Sequence, residues 1–262
     1  MRSLTRALLL GTLLLGTLLL ASLAPMESAQ AQRRGSPEFL PNVPYDGRLT
    51  FVRVKYQLPD FGGGGFRGGR DIPWSHDYPR GERHFTKIVS ELSTSRVRID
   101  ASNILTLDDP QLGKYPIAYM AEAGFWRPSD AEALGLRNYL AKGGFIIFDD
   151  FAGEHWFNFE SQMKKVLPNL RPIELDLSHP IFDSFYRIKS LEYDHPIYRG
   201  MKSVFYGVFE ENDPKKRMLA IVNYNNDLSE YWEFSDTGMF PLDMSNEAYK
   251  LGVNYIIYAL TR

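Results

Sequence analysis

The chain has 262 residues, 30 Lys plus Arg against 32 Asp plus Glu, a formal net charge of −2 and no cysteine. With near-balanced charge and no basic stripe or basic amphipathic helix, nothing invites nucleic acid or an anionic lipid surface. The missing cysteines exclude disulfides, thiolate metal sites, a lipid-modified N-terminal Cys and any Cys nucleophile.

Residues 1–31 read as a secretory signal peptide: Arg2 and Arg6 precede a Leu-rich apolar run, and Ala29-Gln30-Ala31 supplies a small-x-small cleavage pattern. The apolar run is long enough that an uncleaved N-terminal anchor is the alternative, the only membrane association the sequence suggests. Either way the remainder is expected in the periplasm or another extracytoplasmic space. Residues 32–48, rich in Pro, Arg, Gly and Asn, read as a linker, and residues 49–262 as a single α/β domain.

Within that domain, residues 50–56 alternate in strand fashion with at least one exposed face, and Phe85, Ile88, Val89 and Leu92 mark one buried face of a helix over 82–92. Short strands are expected at 97–99 and 104–107, and a fully buried one at 115–121. Ser129-Asp130-Ala131-Glu132 is a capping box opening a helix that Gly143-Gly144 closes. A strand at 145–148 then ends at Asp149-Asp150, followed by a helix through Phe159, Met163 and Val166. Residues 171–175 suit another strand and 178–206 read as irregular. Residues 218–224 read as a late core strand, and Ser245 as the cap of a closing helix. The alternation predicts a mostly parallel sheet with helices on both faces.

Open parallel sheets take ligands outside the carboxyl ends of their strands. That rule selects Glu122, Asp149, Asp150 and Asp227 as acids expected at one edge, with Asp77 reaching it from the end of the first strand. Gathered carboxylates repel unless a metal, a shared proton or a hydrogen-bonded polyol relieves them. Trp126, His155 and Trp156 stand beside these acids in sequence and complete the candidate ligand-binding set, aromatics being what a saccharide or peptide would need. The competing reading is structural, with Asp149 and Asp150 capping the following loop, Glu122 facing solvent, Asp77 in a turn and the aromatics stapling loops. Gly63-x-Gly65-x-x-Gly68 formally matches a dinucleotide fingerprint, but Pro73 and Trp74 stand where a helix should start, so a loop is expected and no cofactor. No Gly-x-Ser-x-Gly elbow occurs.

Four segments, Tyr115-Pro116-Ile117-Ala118-Tyr119-Met120-Ala121-Glu122-Ala123-Gly124-Phe125-Trp126, Gly143-Gly144-Phe145-Ile146-Ile147-Phe148-Asp149-Asp150-Phe151, Asn225-Asn226-Asp227-Leu228 and Leu251-Gly252-Val253-Asn254-Tyr255-Ile256-Ile257-Tyr258-Ala259, together resemble the bacterial domain-of-unknown-function family numbered 4159. The resemblance implies a flavodoxin-like sheet of the class I glutamine-amidotransferase-like superfamily. That superfamily's enzymes use a Cys nucleophile, so amidotransferase activity does not carry over to a chain without Cys. Two functions are therefore expected in competition. One is a non-catalytic module of the cell envelope binding a saccharide, a peptide or a protein partner, and the other is a metal-assisted or carboxylate-based hydrolase.

Overall fold

A computed structural model describes residues 39–58, 72–192, 195–198 and 200–262. The signal segment and the glycine run at 62–69 lie outside the described residues. Seven strands form one sheet: β1 (Val52–Val54), β2 (Asn103–Leu105), β3 (Ile117–Met120), β4 (Phe145–Phe151), β5 (Ile173–Glu174), β6 (Val204–Phe209) and β7 (Met218–Tyr224), in the order β2-β1-β3-β4-β7-β6-β5. β2, β1, β3, β4 and β7 are mutually parallel, while β6 runs antiparallel between β7 and β5. The chain is thus an α/β protein with a mostly parallel sheet.

Two apolar layers sandwich the sheet. One holds α1 (Arg80–Leu92), α4 (Leu228–Glu233) and α5 (Leu242–Thr261), through Phe85, Leu228, Trp232, Leu251 and Tyr255. The other holds α2 (Asp130–Ala141) and α3 (His155–Val166), through Leu136, Leu140, Phe159 and Met163. The central strands are apolar on both faces because a helix layer covers each. No helix among the described residues is long and apolar enough to cross a membrane.

The expected capping box is present: Ser129 Oγ accepts from Glu132 N, and Glu132 Oε2 accepts from Ser129 N. Four elements depart from the expectations. β1 has no exposed face, because Arg53 is fully buried in an ion pair with Glu82 at 2.7 Å. Residues 97–99 contribute a single bridge, Val97 to Leu49. The irregular stretch ends in β6, and α5 begins three residues before Ser245, whose N–H already donates to Pro241 O inside the helix. Within the expected linker, Phe39 and Leu40 contact Trp74 and Tyr78, while Asn42 and Val43 lie along the outer edge of β2. There Ile104 N donates to Asn42 Oδ1 at 2.7 Å and Asn42 Nδ2 to Ile104 O at 2.8 Å, so a side chain completes the ladder on an otherwise open edge.

Candidate functional site: an acidic centre at the carboxyl edge

Because the five parallel strands point one way, their tips collect at one edge. Glu122 follows β3, Asp149 and Asp150 lie near the end of β4, and Asn225 to Asp227 follow β7. Four residues at this edge, Asp77 (φ 64°), Glu122 (φ 43°), Asp150 (φ 59°) and Asn225 (φ 56°), adopt left-handed backbone, which costs a non-glycine residue free energy and persists only where its surroundings enforce it. At Asp150 the cause is visible: the β4–β7 register shifts between Phe148 and Phe151, a bulge that re-aims this side chain.

Beside the bulge, a short 3₁₀ turn, Pro73–Ser75, delivers His76 and Asp77. Arg53 fastens that segment from beneath, donating to Trp74 O at 3.2 Å and His76 O at 2.8 Å. His76 Nδ1 lies 2.7 Å from Asp150 Oδ2 and 3.5 Å from Asp77 Oδ2. The other oxygen of Asp150 accepts from Tyr198 OH at 2.7 Å. Ser229 Oγ lies 2.5 Å from Asp77 Oδ2 and 3.3 Å from Asp227 Oδ1, and Asp227 Oδ1 also caps α4 by accepting from Glu230 N at 2.9 Å. One ligand atom each from His76, Asp77, Asp150 and Asp227 falls within 4.8 Å of the others.

The electrostatics follow from three buried carboxylates around one imidazole. Burial pushes Asp227 well above the usual carboxylate range, and the charges of Asp150, Asp77 and Glu230 push it further. Burial also acts to raise Asp77, but His76 together with the bonds from Ser229 and Glu230 outweighs it and holds Asp77 low. For His76, burial is overcome by Asp77 and Asp150, so its pKa lies well above the ordinary histidine value. These directions favour a charged imidazole on His76 and an ionised Asp77, and favour the protonated form of Asp227.

Asp149 is next to this centre but faces the layer of α1, α4 and α5 and is fully buried. Its Oδ2 accepts from Tyr119 OH at 2.9 Å and from Leu228 N and Ser229 N at 3.0 and 3.3 Å, while Oδ1 accepts from Asn223 Nδ2 at 3.0 Å. It is a fastener that seats the start of α4 on the sheet. Burial, opposed by these bonds, raises its pKa to about 7.

Of the eight residues selected from sequence, the structure brings Asp77, Asp150 and Asp227 into one cluster. Glu122 shares the edge, buried, and its charge acts on Tyr56 and Tyr198. Trp126 is fully buried against Phe148 in the core. His155 packs its ring against Phe125, and Trp156 sits among Phe151, Tyr206 and Tyr224 at the layer of α2 and α3. Sequence reasoning missed His76, Tyr198 and Ser229. The one signal for His76 is its place beside Asp77, and for Tyr198 its place at the end of His195-Pro196-Ile197-Tyr198, a fragment similar to His179-Pro180-Ile181-Phe182.

The fold and edge define an α/β domain with a buried, mixed carboxylate and imidazole centre. The model of the family described as Domain of unknown function (DUF4159) matches residues 50–260, and the chain belongs to that family. No curated protein matches it.

Proposed function

We propose that this chain is an exported, periplasmic ligand- or partner-binding domain of the bacterial cell envelope. We further propose that its sheet is flavodoxin-like, of the class I glutamine-amidotransferase-like type without the superfamily's Cys nucleophile. The carrying observation is the convergence of His76, Asp77, Asp150 and Asp227 at the edge where open parallel sheets take ligands. A second observation supports it: of the six non-glycine residues with left-handed backbone among the described residues, four, Asp77, Glu122, Asp150 and Asn225, lie at that edge. Envelope saccharides and peptides are the ligand classes suited to hydrogen-bonding carboxylates.

A hydrolase is the second reading, favoured by one feature of the same centre. The surroundings shift Asp77 below and Asp227 above the usual carboxylate range, the pattern that separates a base from an acid. Calorimetry of the exported domain with muropeptides and short peptides tests the first reading, with Asp150→Asn expected to weaken binding at least tenfold. Turnover of the same compounds, abolished by Asp227→Asn, would replace it with the second. Neither binding nor turnover across the panel would overturn both.

A further inference from the structure

We infer that the carboxyl-edge centre is a binding site for one divalent transition-metal ion, with His76, Asp77, Asp150 and Asp227 as its ligands. The inference deepens the reading of this edge as the ligand site and rests on it. The four ligand atoms come from three separate segments of the chain and lie within 4.8 Å of one another. The spacings of 2.7 Å and 3.5 Å from His76 Nδ1 to Asp150 and Asp77 bracket the roughly 3.0 to 3.4 Å between two ligands held at about 2.1 Å at right-angled or tetrahedral positions.

An independent feature asks for a cation. The Asp77 side chain is wholly buried, and its Oδ1 has no donor beside it other than the Glu230 carboxyl, while Oδ2 is engaged by Ser229. The neighbouring group able to relieve it is the Glu230 carboxyl, which donates only when protonated and which, with Glu233, also lies within 4.8 Å of Asp77. A buried carboxylate oxygen facing another acid is costly, and a metal ion removes that cost without a proton. The nearby guanidinium, Arg53, bonds Glu82 and two backbone carbonyls, leaves its Nη2 without a partner, and acts on Asp77 through its charge rather than through a hydrogen bond.

The outer contacts are those of a prepared site. Tyr198 orients Asp150, Ser229 orients Asp77 and Asp227, and the start of α4 fixes Asp227 through Glu230 N. One imidazole nitrogen among carboxylate oxygens suits Mn²⁺ or Zn²⁺ better than Ca²⁺ or Mg²⁺, which prefer oxygen alone.

The test uses the whole exported domain, stripped with chelator and titrated with Mn²⁺ by calorimetry and electron paramagnetic resonance. The expected result is one ion per chain, a nitrogen coupling in the Mn²⁺ spectrum that His76→Gln abolishes, and at least tenfold weaker binding in Asp150→Asn. Asp227→Asn is the safeguard against misfolding, since Asn caps a helix as well as Asp does, and it should also weaken Mn²⁺ at least tenfold. Millimolar or weaker affinity in the wild type, or unchanged affinity in all three variants, overturns the inference. If saccharide or peptide binding survives while Mn²⁺ binding is absent, the metal site falls and the ligand-binding reading stands. The converse result removes that reading and leaves the metal site.

Discussion

Replacing Arg53 with Met tests how the fold supports the centre. Arg53 projects from the middle of β1 into the layer of α1, where its guanidinium sits 5.1 Å from the Tyr119 ring centroid. It makes a 2.7 Å bond to Glu82 and holds Trp74 O and His76 O. Met keeps much of the volume and removes every polar contact, leaving the 2% exposed Glu82 carboxylate without its cation. Breaking one partner of a buried pair costs about 3–5 kcal/mol. At about 2–4 °C per kcal/mol for a domain of this size, melting should fall by roughly 6–20 °C. A double-mutant cycle by urea denaturation isolates the cause: Arg53→Met with Glu82→Leu should be no less stable than Arg53→Met alone, because the stranded charge is gone. A cost under about 1 kcal/mol for the single variant, or strict additivity, would refute the assignment of this pair as the anchor of the His76 segment.

Burial drives His195 down to about 4, and its Nε2–H donates to Asp227 O, so the stability it confers when neutral is complete above pH 6.5 and is lost as pH falls towards 4. Asp149, raised to about 7, acts oppositely: its contribution is complete below pH 3.8 and is lost as pH rises through 7. Urea denaturation between pH 4 and 6.5 should therefore show a more steeply falling stability in His195→Asn and a flatter or rising one in Asp149→Asn, by about 1.4 kcal/mol per pH unit, and curves parallel to wild type would contradict both assignments. Gly252→Ala places a Cβ 2.5 Å from the Phe85 ring and 2.7 Å from the Trp232 ring, and overpacking of that kind should cost about 1–3 kcal/mol in thermal denaturation despite alanine's better helix propensity. Tyr198→Phe removes the hydrogen bond to Asp150 Oδ1 and should weaken Mn²⁺ about tenfold while shifting melting by only a few degrees, a split that a purely structural tyrosine would not produce.

Legibility of the fold in the sequence varied with how local the cause of each element is. The start of α2 depends on four consecutive residues, Ser129 to Glu132, whose reciprocal bonds form within the segment itself, and it was readable. β7 spans 218–224 as the apolar run indicates, because a central strand covered on both faces is apolar throughout. β6 was missed: its sequence includes Gly207, tolerated because the Phe209 ring fills the space where a Cβ would sit, a tertiary fact without a sequence period. α4 was missed for another reason. Asp227 and Glu230 have the spacing of an N-cap and its third residue, but the strand-end rule selects Asp227 for the edge alone, whereas it performs both tasks.

The site divides along the same physical line. Asp150 and Asp227 could be placed because strand direction alone puts the ends of β4 and β7 at one edge, whatever the loops do. Asp149 illustrates what direction does not provide. Left-handed backbone at Asp150 lets adjacent aspartates serve different masters, one tied to Tyr119, Asn223 and the start of α4, the other to His76 and Tyr198. His76 and Tyr198 reach the edge from segments with no hydrophobic period, so their approach is decided by single contacts such as Arg53 to His76 O. The aromatic residues failed as indicators for a related reason. Trp126 is chosen by the volume it fills beside Phe148, and a tryptophan in a sequence carries no mark distinguishing a filled core from a ligand platform. A chemical centre is thus readable where backbone direction delivers its parts, and is concealed where one side chain, here the guanidinium of a strand two positions from the bulge, pulls the last ligand into place.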